Sequence, residues 1–128
     1  MRAESPFDRG RRGEDVAARA LESAGGRIIA RNWRDGPREL DLVVLFEGVV
    51  AFVEVKTRRD ERWGHPLEAL TPRKRGEIER AARAWIGAPD RPRIPGSPDF
   101  RFDVVSVTLE GEGAPRVEHL PDAWRPGW

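Results

Sequence analysis

The chain has 128 residues, 35% of them charged, with a formal net charge of +1 and no cysteine. That length suits one domain whose core is buried without cross-links, and the missing cysteines exclude disulfides and thiolate-bound zinc. No apolar run approaches the roughly 20 residues of a membrane helix. The arginine-rich start has no hydrophobic stretch of the secretory kind, so a cytoplasmic protein without membrane contact is expected.

Residues 1–9 read as a loose start, followed by a domain over 10–122 and an irregular tail over 123–128. Within the domain, 11–24 has apolar residues at helical spacing (Val16, Ala17, Ala20, Leu21, Ala24) and stops at Gly25-Gly26. A short strand is expected over 27–33, then a turn at Asp35-Gly36-Pro37. Two strands, 38–46 and 49–57, are joined at Glu47-Gly48. A charged loop and a short helical turn lead to Thr71-Pro72, an N-cap followed by proline at the first helical position. That helix runs to about Ile86, with Ile78, Ala81, Ala82 and Trp85 on its apolar stripe, and Gly87 ends it. A proline-rich loop over 88–99 precedes strands at 101–109 and 115–120. The order αβββαββ predicts an α/β to α+β fold with a mixed sheet of about five strands flanked by helices.

Charge is unevenly distributed. Residues 1–38 carry nine arginines against six acids, 39–55 carry four acids and no base, and 56–86 carry nine bases against five acids. An acidic stretch between two basic ones fits an anionic polymer gripped at its phosphates around a central cation. The bases are 21 arginines and only two lysines, Lys56 and Lys74. A lysine kept in such a chain points to a role that a wide, permanently charged guanidinium cannot fill.

The strand pair carries the chemistry. With a two-residue loop, Phe46 pairs with Val49, which sets Asp41 opposite Glu54 and Glu39 opposite Lys56, all on one side of the sheet. Leu40, Leu42, Val44, Val49, Ala51, Val53 and Val55 would then form a continuous apolar surface on the other side. Facing carboxylates repel and raise each other's pKa unless a cation sits between them. Mg²⁺ or Mn²⁺ suits such hard oxygen ligands, with the Val55 carbonyl as a further ligand and water and substrate phosphate completing the shell. Lys56 would orient or deprotonate a water, or stabilise charge on the phosphate. The reaction this suggests is phosphodiester hydrolysis. Glu-x-Lys on a strand is more commonly a solvated face; its setting here, among strongly apolar residues and opposite an aspartate, sets it apart. Glu14, seven residues before Leu21, projects from the apolar side of the first helix and aims a carboxylate at the sheet.

In that order and spacing, GRRGEDVAARALESAGGRIIARNWR, ELDLVV, FVEVKTRR, TPRKR and RFDVVSV resemble the YraN-like family of small bacterial proteins, assigned to the restriction-endonuclease-like PD-(D/E)xK superfamily. The resemblance spans roughly residues 10–122. It implies a restriction-endonuclease-like fold in which Asp41, Glu54 and Lys56 match the D…ExK signature. Glu14 matches the helix acid of the Holliday-junction-resolvase-like members, and Glu39 and Thr57 fall in supporting positions. The superfamily's proline-aspartate is Leu40-Asp41 here.

Arg58, Arg59 and Arg62 follow the site directly, while Arg73, Lys74 and Arg75 open a helix whose free N–H groups favour phosphate. Arg11, Arg12, Arg31 and Arg34 are further candidates for salt-dependent phosphate contacts. Trp33 and Trp63 lie near turns and suit stacking on an unpaired base, although core packing accounts for Trp33 as well. His65 and His119 show no ligand spacing. A metal-dependent endonuclease acting on structured DNA is therefore expected, with a homodimer fitting cleavage of two strands. The alternatives are a non-catalytic nucleic-acid-binding module and a subunit of a larger DNA-processing complex.

Overall fold

A computed structural model describes residues 4–60, 64–109, 111 and 113–128. Helix α1 spans Pro6–Ser23, and helix α2 spans Pro72–Ile86. The strands are β1 (Arg27–Asp35), β2 (Arg38–Phe46), β3 (Val49–Arg58), β4 (Asp99–Thr108) and β5 (Arg116–Trp124), with a 3-10 turn at Pro66–Ala69. They form one five-stranded sheet in chain order in which β3 and β4 are parallel and every other neighbouring pair is antiparallel. The expected αβββαββ order and mixed sheet are both present, a layout consistent with a restriction-endonuclease-like fold. No described helix is long and apolar enough to cross a membrane.

Helix α1 begins at Pro6, well before the expected start at residue 11. Ser5 caps it by accepting the Asp8 N–H at 3.1 Å, and Pro6 opens it. This is the same signal that starts α2, where the Thr71 hydroxyl accepts the Lys74 N–H at 3.1 Å. Gly25, at φ +96°, takes the left-handed conformation that ends α1 and lets the Gly26 N–H return to the Leu21 carbonyl at 2.9 Å. Strand β5 also outruns expectation, reaching a buried Trp124. It is an edge strand, which tolerates Pro121, and a bulge between Phe102 and Val104 accommodates Asp122 at φ +52°.

Each helix covers one face of the sheet. Ala17 and Leu21 of α1 are buried with Leu42, Val44, Ala51, Val53, Val105 and Val107. Ile78, Ala81 and Trp85 of α2 are buried with Val43, Val50, Phe52, Phe102 and Val104. Trp85 meets Phe52 edge to face at 5.7 Å.

The two-residue hairpin is present as expected: Phe46 pairs with Val49, and the register continues to Leu42 with Val53. One part of the expected pattern fails. Leu40 is buried with the α2 cluster, not beside Leu42 on the α1 face. Along β1–β2, Arg31 pairs with Leu42 and Trp33 with Leu40, and Asn32 between them adopts a left-handed φ of +47°. The irregularity at Asn32 and Asp41 shifts the alternation by one residue, so the strict period of two does not carry across it.

Close approach of α1 depends on Gly13. A β-carbon there would lie 1.9 Å from the Thr57 hydroxyl oxygen and 2.8 Å from its β-carbon. Overpacking of this kind costs about 1–3 kcal/mol, which outweighs the ~1 kcal/mol of helix propensity that alanine offers over glycine. Gly13→Ala should therefore lower stability in urea unfolding, and Thr57→Ala in the same chain should recover part of the loss. A gain in stability from Gly13→Ala alone would show that the helix is not held this tightly.

Candidate active site

Where the β2–β3 pairing passes Leu42 and Val53, a side chain takes over from the ladder. The Val55 N–H donates to Asp41 Oδ2 at 2.8 Å. The N–H and C=O of one strand residue face the same neighbour, so the Val55 carbonyl looks into the same gap. Glu54, one residue earlier, is buried, and Asp41 is half-buried beside it. Burial pushes the Asp41 carboxyl up to about 8, helped by the neighbouring Glu54 charge and a carboxyl–carboxyl hydrogen bond and opposed by the Val55 N–H. This is the pairing of Asp41 with Glu54 that the hairpin register predicts.

Lysine surrounds Glu54 on two sides. Lys56 follows it on the same strand face, and Lys74 Nζ lies 4.0 Å from Glu54 Oε2. Lys74 thus belongs to the site itself more than to an outlying basic patch.

Glu14 is joined through Asn32 to Glu39 on the α1 side. Asn32 Nδ2 donates to Glu14 Oε1 at 2.8 Å and to Glu39 Oε1 at 2.9 Å. The Glu14 carboxyl is raised by burial, against the Asn32 hydrogen bond, and the Asp41 charge raises it further. Glu39 departs from expectation. It does not lie beside Lys56; its oxygens go to Asn32 and, at 2.8 Å, to Arg34 Nη2. The shift at Asn32 and Asp41 turns Glu39 toward α1, whereas Glu54 faces α2. Asn32 itself escapes a sequence reading, because its role depends on the left-handed backbone that only the fold reveals.

Among the described residues no three His, Asp or Glu side chains gather as a ready metal cage. What the structure offers a cation is the Asp41–Glu54 pair and the Val55 carbonyl. This donor set fits a hard divalent ion that completes its shell with water and substrate. Glu14 is bonded to Asn32 and raised by the Asp41 charge.

Several expected phosphate contacts are occupied. Arg12 pairs with Glu4 at 2.7 Å, Arg31 with Asp15 at 2.6 Å and Arg34 with Glu39. The Arg11 guanidinium lies 5.8 Å from the Phe7 ring, and that of Arg75 lies 5.8 Å from Trp124. Arg59 and Arg73 are exposed, and Arg58 donates to the Gly64 carbonyl. Arg62 and Trp63 lie outside the described residues. Trp33 packs against the core, and Thr57 meets Gly13.

A second buried aspartate was not singled out in the sequence. Asp103, on β4, is fully buried and accepts from Arg101 Nε and Nη2, each at 2.8 Å, and from the Asp122 N–H at 3.0 Å. His119 Nε2 lies 2.8 Å from it. Burial alone would raise its pKa, but the bonds from His119, Arg101 and Asp122 outweigh it and hold the carboxyl low. The detectable signal was the lone acid in the apolar run RFDVV.

The architecture defines a small mixed α+β domain with a carboxylate pair where two central strands part. The sequence matches the family described as "Uncharacterised protein family UPF0102" over residues 13–107. A UPF0102 protein of Prosthecochloris aestuarii is 44% identical over 124 residues, covering 93% of this chain and 94% of that protein. One from an Arthrobacter species is 46% identical over 111 residues, covering 87% and 91%. Another from Nocardia farcinica is 46% identical over 111 residues, covering 87% and 84%. The chain belongs to the UPF0102 family, the YraN-like family that its motifs resemble.

The raised Asp41 pKa has a definite sign for stability. The folded protein keeps a proton that the unfolded chain, with a carboxyl near 3.8, releases. Stability present below about pH 4 is therefore lost as pH rises toward 8. In the presence of a chelator, Asp41→Asn should remove this decline and melt about 5 °C or more above the wild type at pH 8. Thermal unfolding across pH 4–9 checks it, and parallel profiles for the two proteins would contradict the assignment.

Proposed function

We propose that this protein is a divalent-cation-dependent nuclease that acts in the cytoplasm and hydrolyses internal phosphodiester bonds in structured DNA. The observation that carries the reading is the Asp41–Glu54 pair. Two acids from adjacent strands share a partly dehydrated gap in which one of them is forced to keep its proton. Such an arrangement is costly as architecture and useful as a cation site. Asp41, Glu54 and the Val55 carbonyl would hold Mg²⁺ or Mn²⁺, whose chemistry there is to polarise the phosphate and lower the pKa of a bound water.

The remaining roles belong to the chain. The Val55 N–H orients Asp41. Lys56 would take a proton from the attacking water or stabilise negative charge on the phosphate, and Lys74, 4.0 Å from Glu54, would help direct that carboxylate. Asn32 holds Glu14 and Glu39 together on the α1 side. The exposed Arg59 and Arg73 supply non-specific phosphate grip. Phosphate contacts of this kind fit recognition of DNA shape better than of base sequence.

Purified protein should cleave at least one member of a panel of linear, single-stranded, flapped and four-way DNA when Mg²⁺ or Mn²⁺ is supplied. Asp41→Ala and Lys56→Ala should each lower the rate by roughly 100-fold or more. Lys56→Arg should not restore it, because arginine cannot give up its proton. Cleavage persisting in both alanine variants would overturn the assignment, and so would tight binding without cleavage of any substrate.

A further inference from the structure

We infer that a cavity beside the site seats the phosphodiester one nucleotide along from the cleaved bond, an inference that rests on the nuclease reading. Strands β3 and β4 pair in unbroken parallel register, with Lys56 beside Ser106 and Arg58 beside Thr108. Strand β5 extends both rows, setting Glu118 beside Ser106 and Arg116 beside Thr108. Phe52, Phe102 and Val104 belong to the α2 cluster, so strict alternation puts Glu54, Lys56, Arg58, Ser106 and Thr108 on that same face.

A cavity of about 370 Å³ opens over these rows, lined by Arg58, His65, Ser106, Thr108, Arg116 and Glu118. Ser106 and Thr108 are more than nine-tenths buried, at 6% and 7% exposure, so two hydroxyls form part of its floor. Arg58 donates to the Gly64 carbonyl and thereby ties the loop that carries His65 to the cavity. His65 Nδ1 accepts the Leu67 N–H at 3.2 Å, which leaves Nε2 as its donor nitrogen.

The spacing matches a nucleic-acid strand. Lys56 and Arg58 are two strand residues apart, a rise of about 6.6 Å, comparable to the step between successive phosphates along one strand. With Lys56 at the scissile phosphate, the row Arg58–Thr108–Arg116 falls at the next.

The test measures anisotropy of fluorescein-labelled single-stranded and flapped DNA with Ca²⁺ in place of Mg²⁺, over a salt series. The proteins are the wild type, Arg116→Gln and the near-isosteric Thr108→Val, each shown to melt like the wild type. Arg116→Gln should weaken binding about tenfold at low salt and reduce the slope of log K against log salt by about one. Thr108→Val should weaken binding without changing the slope. On DNA whose cleavage position has been mapped, one uncharged methylphosphonate next to that position should cost the wild type about tenfold and Arg116→Gln little. If the two changes add independently, or the slope is unaltered, the seat is wrong and the nuclease reading survives. Wild-type protein that binds no DNA in the series overturns both.

Discussion

The hydrogen bond from the Val55 amide to the Asp41 carboxylate is the contact on which the rest of the site depends. A backbone N–H at the end of an antiparallel ladder needs an acceptor. Supplying it from a side chain lets β2 and β3 part without leaving that amide unpaired. The opening brings Asp41 against Glu54, and the disturbed alternation on β2 is completed by Asn32 in a left-handed conformation on β1. Asn32 in turn anchors Glu14, whose helix comes this close only because Gly13 presents no side chain to Thr57. Each of these features breaks a local rule: a glycine inside a helix, a non-glycine residue at positive φ, like charges across strands. These departures cluster around one part of the sheet, where Asp41 and Glu54 meet.

The two buried aspartates of the central strands make the contrast sharper. Asp103 receives two guanidinium N–H groups and a backbone N–H, with His119 beside it, and its carboxyl is held low. It is a satisfied anion, and its partners fasten the bulge where β5 crosses β4. Asp41 has one amide donor and an acidic neighbour, and its carboxyl is pushed up. The fully buried Asp103 is thus held low by its partners, while the half-buried Asp41 is pushed up. The fold supplies Asp103 with counter-charge from its own chain and sets another acid beside Asp41.

Much of this was legible in the sequence where local rules govern. Turn length and alternation set the β2–β3 register, and with it the meeting of Asp41 and Glu54. Helical spacing and the Thr71-Pro72 signal gave α2, and position relative to Leu21 gave the inward aim of Glu14. The same Ser-Pro signal at residues 5–6 marks the true start of α1, in a segment whose polarity reads as loose. Other features depend on backbone angles or distant pairing. The displacement of Leu40 and Glu39 follows from one left-handed residue on a neighbouring strand. The bonding of Asp103 to His119 requires the β4–β5 register across a bulge. The second half of β5 was hidden by Pro121 and by charges that only an edge strand tolerates.

The lysines illustrate how composition and geometry together constrain chemistry. Among 23 basic residues only two are lysine. One follows Glu54 on its own strand face, and the other reaches it from the first turn of α2. Where the chain needs a charge merely to pair or stack, it uses arginine, as at Asp103, Glu39 and Trp124. A guanidinium is a broad planar fork that remains permanently protonated. A lysine ammonium is compact and can exchange its proton when partly dehydrated. The two exceptions to arginine thus fall beside the one carboxylate that meets Asp41.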